Sequence, residues 1–89
     1  MTAPTVILSA VGDVAACRAD PAGIFRGCEA ALRNGDLLFG QLETTITDRG
    51  AKAPNARLAM RCPPVMADVA ARAGFDVMCF AGYHCLDCG

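Results

Sequence analysis

Residues 5–13 read TVILSAVGD. The first seven are β-prone and nearly all apolar, and a glycine and an aspartate follow them. A strand without regular polar alternation is usually covered on both faces, as in a parallel sheet. Gly12 is expected to end the strand and to leave Asp13 at its carboxyl edge. Two further stretches have the same character: DLLFGQLE at 36–43 and FDVMCFA at 75–81.

The segments between them read as crossovers. Asp20-Pro21 offers an N-cap followed by proline at the first helical position. Ile24, Phe25, Cys28, Ala31 and Leu32 recur at helical spacing, and Asn34-Gly35 is a stop signal. Pro63-Pro64 opens a second helix through VMADVAARA at 65–73, and Gly74 closes it. Residues 44–54 read as an exposed loop, and ARLAMRC at 56–62 as a short strand. The order β-α-β-loop-(β)-α-β implies parallel strands with right-handed crossovers.

In such sheets ligands bind beyond the carboxyl ends of the strands. The residues there are Gly12-Asp13, Leu42-Glu43 and Gly82-Tyr83-His84. Two carboxylates and the sole histidine of the chain are thus expected along one sheet edge.

Composition narrows the class. Eighty-nine residues make at most one small domain, and such a chain buries only roughly 60% of its unfolded surface. A hydrophobic fraction of 54% with 6% aromatic residues fits an aliphatic α/β interior rather than a disordered tail. The net charge of −1, without a basic run, gives nucleic acid no electrostatic footprint. The apolar runs are too short for a membrane span. The first residues lack the basic region of a signal peptide, so a cytoplasmic location is the default expectation. Six cysteines without a sign of export are expected as reduced thiols. Cys28 and Cys79 read as small core hydrophobes.

Three motifs in this order resemble one family. VGD after the first strand, DLLFGQLETTIT in the second and AGFDVMCFAGYHCLDCG in the third are similar to the capsule-synthesis CapA family. That family is associated with poly-γ-glutamate biosynthesis and related to the calcineurin-like metallophosphatases. The resemblance implies an α/β fold, a parallel βαβ sheet forming the N-terminal part of a metallophosphatase-like α/β/β/α sandwich. It implies a hydrolase- or phosphatase-like centre holding a divalent metal (Mn, Mg or Zn), for which carboxylate oxygens are suitable ligands. Asp13 and Glu43 fall on the family's metal-ligand positions. His84 falls on the histidine of an NNH motif, where it would contact the substrate anion or donate a proton.

Gln41 stands for the usual Asn before Leu-Glu, and Gly82-Tyr83 for Asn-Asn or Ser-Asn. Tyr83 has no amide oxygen, so a metal ligand is expected to be lost there. Family members continue with further histidine motifs, so residues 1–89 are expected to be a partial domain, truncated and inactive or nearly so. The uncovered strands are then expected to leave an apolar face that self-associates. That face also motivates an alternative reading, a small α/β interaction module that oligomerises or docks through it.

Blander readings stand beside these. Asp13 could end a strand through a turn hydrogen bond, Glu43 could be a solvated loop carboxylate, and His84 a satisfied polar residue at the sheet edge. Asp87 reads as a helix cap or a loop tether. Cys85 and Cys88 form C-x-x-C, a spacing that serves redox pairs, half zinc knuckles or simple packing.

Overall fold

A computed structural model describes residues 3–52, 54 and 58–89. It is a mixed α/β structure with parallel strands, compatible with part of a metallophosphatase-like sandwich. Strands β1 (Leu8–Val14), β2 (Leu37–Leu42) and β5 (Val77–Cys79) form one parallel sheet in the order β1-β2-β5. A second, two-stranded parallel ladder pairs β3 (Thr45–Ile46) with β4 (Arg61–Cys62). Two helices complete the order, α1 (Glu29–Leu32) between β1 and β2 and α2 (Met66–Ala73) between β4 and β5.

β1 starts later than the sequence predicts and does not end at Gly12. Its register against β2 runs Leu8↔Leu37, Ser9↔Leu38, Ala10↔Phe39, then Asp13↔Gln41. Three steps on β1 oppose two on β2, so a bulge falls at Val11-Gly12. A bulge shifts the alternation of side chains by one residue. It therefore brings Asp13 to the register position of Gln41, on the face that Glu43 shares two residues further on.

The first helix is much shorter than expected. Residues 21–28 form successive tight turns, with Ile24 N–H donating to Pro21 O at 3.1 Å and Arg26 N–H to Gly23 O at 3.1 Å. Gly27 lies in the left-handed region at φ 92°, which interrupts a right-handed helix. Regular i→i−4 bonding begins only with Leu32 N–H to Cys28 O at 3.0 Å. Cys28 consequently lies exposed and not on a core face. The second helix follows its signals, and Gly74 caps it at φ 104°.

The segment expected as an exposed loop is partly interior. Thr44 is fully buried, and Thr45–Ile46 pairs with Arg61–Cys62. Of the short strand expected at 56–62, residues 56 and 57 lie outside the described residues.

One sheet face packs on the core. Val14, Ala16, Cys62, Met66 and Ala70 are buried together, with Phe25, Val69, Phe75 and Met78 packed against them. The rings of Phe25 and Phe75 meet at 5.5 Å. Buried Gly40 admits Phe75 to the sheet, since a Cβ there would lie 2.7 Å from the Phe75 ring. The opposite face carries exposed Leu8, Leu37 and Val77.

Candidate functional site

The carboxyl ends of β1, β2 and β5 lead into the segments 15–17, 43–46 and 80–89. Three consecutive residues after β2 hold this edge together. Thr44 accepts the Ala16 N–H on its hydroxyl at 2.9 Å, which fixes the exit of β1. Thr45 donates its hydroxyl to His84 O at 2.9 Å, which fixes the loop after β5. Glu43, between Leu42 and these two anchors, donates its N–H to Val14 O at 3.0 Å.

With its backbone so held, Glu43 meets His84. Its Oε1 lies 3.8 Å from Nε2 of the imidazole, and both side chains are largely shielded, at 15% and 16% exposure. On the other side of the ring, Nδ1 lies 2.5 Å from Oδ2 of Asp87. The same Asp87 oxygen accepts the Met60 N–H at 2.7 Å. That backbone hydrogen bond, and secondarily the His84 imidazole, hold the Asp87 carboxyl below its ordinary range. The three side chains stand in a row, carboxylate–imidazole–carboxylate.

The loop that carries His84 is a chain of tight turns. Cys85 N–H donates to Gly82 O at 3.4 Å and Asp87 N–H to His84 O at 3.1 Å. Gly82 lets it lie close to β2. A Cβ there would come within 2.9 Å of the Gln41 amide nitrogen and 3.5 Å of Glu43 Oε2. Gln41 in turn reaches Ala81 O at 3.5 Å. Two of the three departures from the expected pattern, Gln41 and Gly82, therefore lie side by side: the longer amide occupies space that a side chain at 82 would need. Tyr83 is 90% exposed, and its ring meets the His84 ring edge-on at 5.0 Å.

The structure thus brings Glu43 and His84 together, and sets Asp13 on the same sheet face by register, exposed to solvent. Asp87 joins them through the H-x-x-D spacing, a turn-compatible i,i+3 pair whose significance depends on the backbone path. Thr44 and Thr45 also escape sequence reading, because hydroxyls in a polar run give no periodic signal.

The donor set for a divalent ion is incomplete. Asp13 and Glu43 offer hard oxygen donors, but among the described residues no three His, Cys, Asp or Glu side chains converge to hold an ion. Structural zinc needs four ligands, so the residues present do not by themselves make a metal cage.

The cysteines are all free. Cys85 is half-buried, while buried Cys88 accepts the Arg61 Nε–H on its sulfur at 3.4 Å. Burial, and next the nearby Cys17 thiol, push the Cys62 thiol up.

Among curated proteins no match to the chain was found. The family model described as bacterial capsule synthesis protein PGA_cap matches residues 7–89. With the strand-end acidic residues and the histidine loop inside that span, the chain belongs to the bacterial capsule synthesis protein family PGA_cap.

Proposed function

We propose that this chain contributes to a metal-dependent hydrolase or transferase site serving poly-γ-glutamate capsule synthesis. The broader role, capsule synthesis, follows from family membership. The single observation that supports the site is the Glu43–His84 contact of 3.8 Å at the carboxyl ends of β2 and β5. Ligand sites in open parallel sheets lie at such strand ends.

In this reading Asp13 and Glu43 are the chain's ligands for Mn, Mg or Zn. A divalent ion there would polarise a phosphoryl or carbonyl oxygen. His84 meets the substrate: its ring lies between Glu43 and Asp87, and in its protonated form it can give a proton to a leaving group or pair with an anion. Because the donor set is short of a cage, the 89-residue chain alone is expected to show no turnover above the uncatalysed rate.

The test combines calorimetric titration of Mn²⁺ with turnover assays on a phosphoester and a γ-glutamyl amide. Asp13→Ala and Glu43→Ala are expected to weaken any metal binding by about tenfold or more, the scale on which altered coordination reduces affinity. Equal affinity in both variants and the parent would overturn the ligand assignment. Metal-dependent turnover by the unaltered chain would overturn the expectation of inactivity.

A further inference from the structure

We propose that the open groove between residues 22–33 and helix α2 binds a small carboxylate-headed apolar ligand, with its carboxylate on Arg33 and Arg72 and its chain on Phe25 and Val69. The groove has a volume of about 410 Å³. Small-molecule sites of this size combine an apolar lining with a few placed polar groups. Phe25, Val69 and Ala73 supply apolar wall, and the Phe25 ring is braced by Phe75 at 5.5 Å. Arg33 stands shortly before β2 begins and Arg72 shortly before β5. The cationic end therefore lies toward the amino ends of the strands, away from Glu43 and His84.

Glu29 also lines the groove, four residues before Arg33. That spacing commonly pairs the two charges on a helix. Here Arg33 instead crosses to α2, with its Nε–H donating to Ala73 O at 3.3 Å. A guanidinium has five donor hydrogens, so this bond fixes the side chain and leaves its terminal N–H groups for a ligand. The Arg72 side chain, in the last turn of α2, has no hydrogen bond or ion pair among the described residues. The carbonyls of Ala70 and Ala71 at that helix end already accept Phe75 and Gly74 N–H at 3.3 and 3.1 Å. Asp36 and Asp76 also lie near Arg33, but each carboxylate accepts a backbone N–H, from Ile7 and Leu38. Two guanidiniums against one carboxylate leave the groove cationic, and the planar guanidinium fork matches a carboxylate head.

The test titrates octanoate into the full chain carrying ¹³C-labelled Ala, Leu and Val methyls. Saturable shifts are expected at Val69 and Ala73. Octan-1-ol, which has the chain without the charge, should bind about threefold or more weakly, the scale of one exposed ion pair. Arg72→Gln keeps a good helix former at an exposed position and should weaken octanoate by about threefold or more. Glu29→Gln, which removes the competing carboxylate, should bind octanoate at least as tightly as the parent. Smaller losses in either comparison, or weaker binding to Glu29→Gln, overturn the proposal. So does a titration without saturable shifts at Val69 and Ala73, including one whose shifts are confined to Leu8, Leu37 and Val77, which would place the ligand on the open sheet face. The octanoate and octan-1-ol titrations of the unaltered chain decide even if a variant fails to fold. No arm uses a metal or turnover, so failure of the metal-dependent reading leaves this result standing.

Discussion

One oxygen of Asp87 serves two donors, the Met60 amide and the His84 ring. Its folded carboxyl is held below 3.8, its ordinary value, chiefly by the Met60 hydrogen bond. A depressed folded value means that the unfolded chain binds the proton first on acidification. The stabilisation is therefore present in full above the ordinary carboxylate range, and it is lost as pH falls through that range toward the folded value. We expect the Met60 amide proton shift to titrate with a midpoint below that of a free aspartate, and the dependence to vanish in Asp87→Asn. A midpoint at or above the free value would contradict the assignment. Neighbouring Gly82 shows how far a single position depends on its surroundings. The atom that a Cβ at 82 would crowd most is the end of the flexible Gln41 side chain, which can rotate aside. Gly50 has no such relief, since a Cβ there would meet the Cys88 carbonyl at 2.0 Å and φ is already 75°.

Strands β2 and β5 open with the same device. Asp36 and Ile7 exchange hydrogen bonds, with Ile7 N–H donating to Asp36 Oδ2 at 2.7 Å and Asp36 N–H to Ile7 O at 2.8 Å. Asp76 and Leu38 repeat it at 2.8 and 3.0 Å. Each aspartate clamps its strand to the preceding one at its amino end, and so pins a register that a one-residue slip would invert. Hydrogen bonds to charged groups contribute about 1.5–3 kcal/mol when shielded. Asp76→Ala, which strips an acceptor from the half-buried junction, should cost about 1–2 kcal/mol in urea unfolding, more than Asp36→Ala at the exposed one. Equal, negligible losses would show that the clamps are ornamental. These aspartates also explain what was legible. Apolar runs opened by Asp and helices closed by Gly identify β2, β5 and α2, and the crossover rule then places Asp13, Glu43 and His84 on one edge. The first helix failed because Gly27 takes a left-handed conformation despite the helical spacing around it. The bulge at Val11-Gly12 has no periodic mark either. The partners Thr44 and Thr45 stayed hidden, and Asp87 was legible only as a helix cap or loop tether, because their roles depend on where distant backbone N–H and C=O groups come to lie.

The sheet is packed on one side. On the other, Leu8 and Leu37 are register partners at 65% and 47% exposure, and Val77, opposite Phe39, is 58% exposed. The radius of gyration, 15.1 Å, exceeds the roughly 12 Å of a compact chain of this length. The exposed row describes a parallel sheet with one open face, whereas parallel sheets are ordinarily covered on both. Contiguous exposed apolar surface favours association, and charge repulsion is weak at a net charge of −1. We therefore expect concentration-dependent self-association in sedimentation velocity, accompanied by binding of an apolar fluorescent dye. Leu37 lies on the central strand with its side chain exposed, so Leu37→Glu removes apolar surface without opening a cavity. Its effect on stability should stay within about 0.5 kcal/mol, while association and dye binding fall together. A parent chain that is a monodisperse monomer at high concentration, without dye binding, would show that the open face is satisfied within the monomer. Association that survives Leu37→Glu unchanged would instead move the contact to exposed Val6, Ile7 and Leu8, beside the outer edge of β1, where an edge strand can pair with a second strand.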